Sequence, residues 1–200
     1  MNLPAGDAQL VQIMDAALSD AVQRSGSWLA CQPGCSQCCH GAFAVNALDV
    51  LRLRQGLEAL RAQSPEKAKE IEQRAQAWID EYGAEFPGSL VTGQIGQSDE
   101  EQERFEDFAN AAPCPVLDPI TGFCELYAVR PITCRVFGPP VRMEAEETSG
   151  IGCCELCFQG ASEAEIAACE MHVPHDLEAS LLAELADSSE TVVAFAVRGR

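Results

Sequence analysis

The sequence predicts a mainly α fold: a small helical domain whose Cys- and Pro-rich irregular loops converge on a metal centre, with minimal β structure. Three observations lead there. Apolar residues recur at helical spacing in several stretches. Eleven cysteines occur in 200 residues. Most of them lie in segments rich in Pro and Gly, which punctuate regular structure. A hydrophobic share of 47% with 22% charged residues suits one globular core. The expectation is therefore a single domain over 1–200. Its metal-binding core runs over about 31–157 and on to 169, between an N-terminal helix at 8–25 and a C-terminal helical segment at about 163–197.

The elements follow in order. Asp7 is placed to cap a helix over 8–25, in which Leu10, Ile13, Met14, Ala17, Leu18, Ala21 and Val22 make one apolar face and Gly26 is the stop. Ser27 to Gly41 reads as a loop holding four cysteines, and Ala42 to Val45 as a short extended segment. Asn46 is an N-cap for a helix over about 47–62, with Asp49 in its first turn. Ser64-Pro65-Glu66 starts another, with Pro at the first helical position. Its stripe of Ala68, Ile71, Ala75, Trp78, Ile79 and Tyr82 up to Gly83 reads as core.

Pro87, Gly88, Gly93 and Gly96 make the next stretch a loop. Ser98-Asp99-Glu100-Glu101 is a capping box opening a short helix with Phe105 and Phe108. From Pro113 to Pro140 prolines and cysteines dominate, with a turn at Asp118–Gly122. Met143 to Gly152 reads as a long loop leading to Cys153-Cys154-Glu155-Leu156-Cys157. Ser162-Glu163-Ala164-Glu165 is a second capping box, for a helix to about Met171 that contains Cys169. A last helix turns Leu177, Leu181, Leu182 and Leu185 inward. Thr191–Val197 is apolar and β-branched, and its pattern fits a strand or a helix end equally.

Charge narrows the partners. Thirteen Lys and Arg against 31 Asp and Glu leave −18. From Glu144 to Val197 there are twelve acids and no Lys or Arg, a solvated, repelling surface rather than a docking face. Binding to nucleic acid or anionic lipid needs clustered cations, so the expectation is no nucleic acid and no membrane. No apolar run is long enough to span a bilayer. The first residues lack a basic stretch followed by an apolar one, so a cytoplasmic protein is expected.

In a reducing compartment closely spaced thiols point to metal or redox chemistry rather than to disulfides. Three groups stand out: Cys31-x3-Cys35-x2-Cys38-Cys39; Cys114-x9-Cys124-x9-Cys134; and Cys153-Cys154-x2-Cys157, with Cys169 beyond. A C-x2-C pair turns two sulfurs toward one ion. Zinc and iron–sulfur clusters both take thiolates. Adjacent cysteines usually diverge, which suits two different ions, or one ligand and one bridging thiolate. So many thiolates exceed one tetrahedral site and fit two sites or a multinuclear cluster. The expected ligands are Cys31, Cys35, Cys38, Cys39, Cys114, Cys124, Cys134, Cys154, Cys157 and Cys169. Cys153, at the less usual x3 spacing, is explained by packing. Buried thiolates need cationic company. Arg130 and Arg135, flanking Cys134, are candidates for it, with pairing to surface acids the alternative.

The run Cys31–Cys39, then Cys114-Pro115-Val116-Leu117-Asp118, Gly122-Phe123-Cys124-Glu125-Leu126-Tyr127 and Arg130-Pro131-Ile132-Thr133-Cys134-Arg135-Val136-Phe137, resembles the YkgJ-type cysteine-cluster family. Its members are described as zinc- or iron-chelating proteins with a CxxCxxCC signature. The resemblance runs from Cys31 to about Cys157 and departs from the family in one respect, since the first spacing here is x3 rather than x2. It implies bound zinc or iron and brings no reaction with it.

His40 reads as an exposed loop histidine, and Pro174 breaks the helix that would align His172 with His175. No nucleophile elbow or P-loop occurs, so no catalytic residue is named and enzyme activity is left open. The favoured function is a metal-binding protein whose thiolate-held ions stabilise the fold, with storage, delivery or sensing as its uses. The alternatives are an iron–sulfur or di-iron enzyme or electron carrier acting on a protein partner, and a thiol redox sensor.

Overall fold

The computed structural model describes residues 2–144 and 149–199. Its helices are α1 (Asp7–Ser25), α2 (Ala47–Gln63), α3 (Pro65–Tyr82), α4 (Asp99–Glu106), α5 (Ile132–Val136), α6 (Glu163–Ala168), α7 (His175–Leu185) and α8 (Val193–Val197). The strands β1 (Val141–Glu144) and β2 (Ser149–Gly152) form the one sheet among the described residues, an antiparallel pair. The fold is mainly α with minimal β, as the sequence predicts. The chain divides into two compact units. The first is Met1–Leu3, Gly34–Pro131 and Leu182–Arg200; the second is Pro4–Pro33 and Ile132–Leu181.

In the first unit the Asn46 side chain caps α2 by accepting the Asp49 N–H at 3.1 Å. Ser64 makes no such side-chain bond, so Pro65 alone marks the start of α3. Leu53 and Leu57 of α2, Ala68, Ile71 and Ala75 of α3, and Val193, Ala196 and Val197 of α8 share one buried cluster. All five residues of α8 are buried. A helix buried all round carries no polar stripe, which is why Thr191–Val197 is ambiguous in sequence. Just before α8, Thr191 and Val45 exchange both backbone bonds, at 2.8 and 3.0 Å. A second cluster stacks Trp78, Phe86, Phe108 and Phe195, with ring centroids 4.8 to 5.7 Å apart. The box of Ser98 and Glu101 starts α4 as expected.

In the second unit α1 starts one residue early. Gly6 occupies the cap position, and Asp7, expected as the cap, is a buried first-turn residue. Leu10, Met14 and Ala21 are buried, but Ile13 is 37% exposed and Val22 46%, so the inward stripe is narrower than the pattern implies. Helix α5 arises within the stretch read as Pro- and Cys-rich loop. The expected loop from Met143 to Gly152 is instead largely a hairpin, Val141 opposite Gly152 and Arg142 opposite Ile151; residues 145–148 lie outside the described residues. The box of Ser162 and Glu165 forms, yet α6 ends at Ala168 rather than Met171, which puts Cys169 at the cap and not inside the helix. Arg24 at the end of α1 donates to the carbonyls of Ala168 and Glu170, at 2.7 and 2.9 Å.

Candidate metal centre

Among the described residues no cysteine is in a disulfide. The fold redistributes the three groups seen in sequence. Cys35, Cys38, Cys39, Cys114 and Cys124 belong to the first unit, and Cys31, Cys134, Cys153, Cys154, Cys157 and Cys169 to the second.

In the first unit Gln37–Cys39 form a single 3-10 turn, closed by the Cys39 N–H donating to the Ser36 carbonyl at 2.8 Å. The strand-like segment after it runs antiparallel to residues 112–114. Gly41 N–H donates to Ala112, and Cys114 N–H to Cys39, both at 2.8 Å. Pro113, opposite His40, needs no N–H in that register. The chain then doubles back. Asp118 N–H donates to Phe123, and Glu125 N–H to Val116, both at 2.9 Å, which sets Leu117 against Cys124. Gly122, at φ +73°, permits the turn. The Asp118 carboxylate accepts from the Ile120 N–H and the Thr121 hydroxyl, both at 2.8 Å, and these bonds hold it below the usual carboxylate range. Two sequence-distant pieces are thus tied by backbone alone.

Cys38, Cys39, Cys114 and Cys124 are half-buried and Cys35 is exposed. The Cys38 thiol is pushed well above its ordinary value, first by its hydrogen bond with Cys39, then by burial and by the charge of Cys39. Burial pushes Cys114 up to about 12, with Cys124 and Cys38 adding to it. Cys124 is raised by burial and by Cys38 and Glu125. Each of these thiols senses another of the set. Two cations oppose the rise: Arg130 at Cys38 and Cys124, and Arg74 at Cys114. Arg130 is buried, lies 4.0 Å over the Tyr127 ring and donates to the Tyr127 carbonyl at 3.0 Å. Arg74 on α3 donates to the Pro115 carbonyl at 2.8 Å and pairs with Glu125. Arg74 carries no signal in the sequence, where it looks like any polar-face residue of an amphipathic helix. His40 is exposed, and its Nδ1 lies 3.0 Å from the Ser36 carbonyl.

In the second unit the Sγ atoms of Cys31 and Cys157 are 3.9 Å apart. Cys157 N–H donates to the Cys154 carbonyl at 2.8 Å, closing the C-x2-C turn, and Cys154 N–H donates to Gly138 at 3.3 Å. Cys157 and Cys169 are buried with Phe158, and Cys154 packs against them. Cys153 is exposed, so packing does not account for it, contrary to expectation, and desolvation and then Cys157 raise its thiol. Cys134 lies half-buried on α5, and its neighbour Arg135 is 1% exposed and paired with Asp15.

Among the described residues no three His, Cys, Asp or Glu side chains are already gathered around a point where an ion would sit. The backbone brings the sulfur-bearing segments together; the sulfurs themselves are not drawn into a polyhedron. The donor set nevertheless fits a thiophilic divalent ion. Half-buried thiols that disfavour one another's ionisation, with guanidinium groups beside them, are the groups whose protons a metal displaces.

A family model titled "CxxCxxCC: Putative zinc- or iron-chelating domain" matches residues 30–157. No curated protein matches the chain, and no solved structure does.

Proposed function

Because the chain belongs to the CxxCxxCC family of zinc- or iron-chelating domains, we propose that its first unit binds one such ion through Cys38, Cys39, Cys114 and Cys124. The observation that carries the reading is the bond from Cys114 N–H to the Cys39 carbonyl at 2.8 Å, which fastens the two cysteine segments side by side. The bound ion supplies positive charge to thiols that burial and mutual repulsion keep protonated. Arg130 and Arg74 offset part of the thiolate charge that would remain. The ion then ties the Cys38–Cys39 turn, which buries no side chain of its own, to the core-anchored Cys114–Cys124 segment, so that metal binding contributes directly to folding.

All four thiols are half-buried rather than enclosed. That exposure supports an ion that exchanges with other chelators, and so delivery or sensing in preference to inert storage. Elemental analysis of protein purified from its native host tests the metal. Colourless protein with zinc supports a mononuclear thiolate site. Brown protein with visible absorption favours an iron–sulfur cluster and an electron-transfer role. Cys39→Ser and Cys114→Ser should each lower bound metal per chain, and full retention in both would overturn the ligand assignment.

A further inference from the structure

We infer that Cys31 and Cys157 are an oxidation site of the second unit, a thiol pair that a hydroperoxide converts reversibly into a disulfide. Both residues belong to that unit, and the inference does not depend on an ion in the first.

The two sulfurs are 3.9 Å apart, and a disulfide needs about 2.0 Å, so a movement of about 1 Å by each closes the bond. Access divides the pair. Cys31 is exposed, whereas Cys157 is 3% exposed. An outer thiol that meets the oxidant beside an inner one that resolves it is the arrangement redox-sensing cysteines use. The neighbours, not the sulfurs, impose this approach. Phe158 N–H donates to the Trp28 carbonyl at 2.8 Å, and the two rings stack at 6.3 Å. The residue after Cys157 is thereby fastened to one three places before Cys31. Trp28 and Leu29 also pack against the buried cluster that contains Cys157.

The backbone leaves the outer sulfur room to move. Gly138, at φ +113°, comes so close that a Cβ there would be 3.0 Å from the Cys31 sulfur. Its carbonyl accepts the Cys154 N–H at 3.3 Å, which fixes the start of the turn that carries Cys157. Phe158 holds φ +54°, an unfavourable region for an aromatic residue. Such strain persists where the surroundings over-determine it, and it concentrates at functional sites. The chemistry balances with a hydroperoxide as oxidant. The Cys31 thiolate attacks one peroxide oxygen. An S–O bond forms, the O–O bond breaks, and the leaving hydroxide takes up the thiol proton as water. The Cys157 thiolate then attacks the Cys31 sulfur. The S–S bond forms, the S–O bond breaks, and a second hydroxide leaves as water with the Cys157 proton. The thiols lose two electrons and the peroxide gains them, and a dithiol reductant reverses the change. The bond joins residues 126 positions apart, so it fastens the second unit when oxidant is present.

Hydrogen peroxide titration of the zinc-incubated full chain, followed by thiol alkylation and peptide mapping, tests this. The first equivalent or so should remove about two free thiols per chain and yield a peptide linking Cys31 to Cys157. Dithiothreitol should restore both thiols, and bound zinc should stay unchanged throughout. Amide exchange at residues 28–31 and 154–158 should slow about tenfold in the oxidised chain. In Cys157→Ser, dimedone should trap a sulfenic acid at Cys31, whereas Cys31→Ser should leave Cys157 unlabelled. Cys153→Ser should keep the link. The mapping of the parent chain needs no variant, so it stands even where Cys157→Ser fails to fold. Absence of the 31–157 peptide, or prior formation of a different cysteine pair, overturns the proposal. So does zinc released in step with the two thiols, since the pair would then be ligands of an ion. A chain that takes up no zinc yet forms the link refutes only the first-unit reading.

Discussion

Asp49 and Arg52 form an ion pair at 2.6 Å in which both side chains are almost wholly buried, 2% and 3% exposed. They stand one turn apart at the start of α2. The Asp49 N–H is already bound by Asn46, so the helix start and the pair are one assembly. The carboxylate also lies at the positive end of the helix.

Removing one partner leaves the other charge buried. Asp49→Ala should therefore cost about 3–5 kcal/mol. The double replacement Asp49→Leu with Arg52→Leu should cost far less, because no charge is stranded. Urea unfolding midpoints at neutral pH measure both. Equal losses in the single and double variants would show that the stranded charge reaches water.

Metal removal should act locally. The turn around Cys38 buries no side chain and is held by a few backbone bonds, whereas Val116 and Leu126 anchor the Cys114 segment in the apolar core that α2, α3 and α8 share. Thiolate sites contribute ~10 kcal/mol or more of apparent binding energy to folding. A strong chelator should speed amide exchange most at residues 35–41, less at 113–126, where Val116 and Leu126 are buried, and leave α2 and α3 protected. Uniform exchange with and without chelator would place the stabilisation elsewhere.

The raised thiols set a pH dependence. In the metal-free chain Cys38, Cys114 and Cys124 favour the neutral form. Their contribution to stability is present below the ordinary thiol pKa and is lost as pH rises through the raised values. Metal binding has the opposite slope, since each ligand gives up its proton. With at least one proton released, zinc affinity should rise about a hundredfold or more between pH 6 and pH 8. Competition against a colorimetric chelator reads this directly, and a flat profile would mean that the thiols are already ionised.

Each unit carries one capping box, so each has its own reporter. Hydrogen bonds from Ser98 and Ser162 hold Glu101 and Glu165 below the usual carboxylate range. That contribution is present above the ordinary pKa and is lost as pH falls through the lowered one. Ser98→Ala should cost about 1 kcal/mol at pH 7, and less once acid protonates Glu101, since the bond from the hydroxyl to the carboxylate is then already weakened while the cap bond from the Glu101 N–H remains. Ser162→Ala should do likewise for α6, measured by amide exchange within each helix. A cost independent of pH would show that the carboxylates play no part.

What the sequence discloses is what four or five neighbouring residues decide. The two capping boxes, the Asn46 cap and the Asp118–Gly122 turn were all legible, because each is satisfied within its own segment. The hairpin of β1 and β2 was not, since Ser149-Gly150-Ile151-Gly152 has poor strand composition and is held by its partner. Chain order also misgroups the cysteines. Cys31 stands with Cys35 in sequence, yet the unit boundary falls between them at Gly34, and Cys124 and Cys134 are parted likewise at Pro131. No local signal marks either boundary as a change of core.

The first unit is assembled from three stretches of chain, and the last of them supplies α8, whose five residues lie wholly in the apolar interior against α2 and α3. A nascent chain that has emerged only as far as Pro131 already displays all five thiols of this unit but lacks the plug that completes their support. Until Val193–Val197 have been made, the helices beneath those thiols lack part of their apolar support. The support for an ion held in this unit is therefore complete only after the whole of Ile132–Leu181, which belongs to the other unit, has been made.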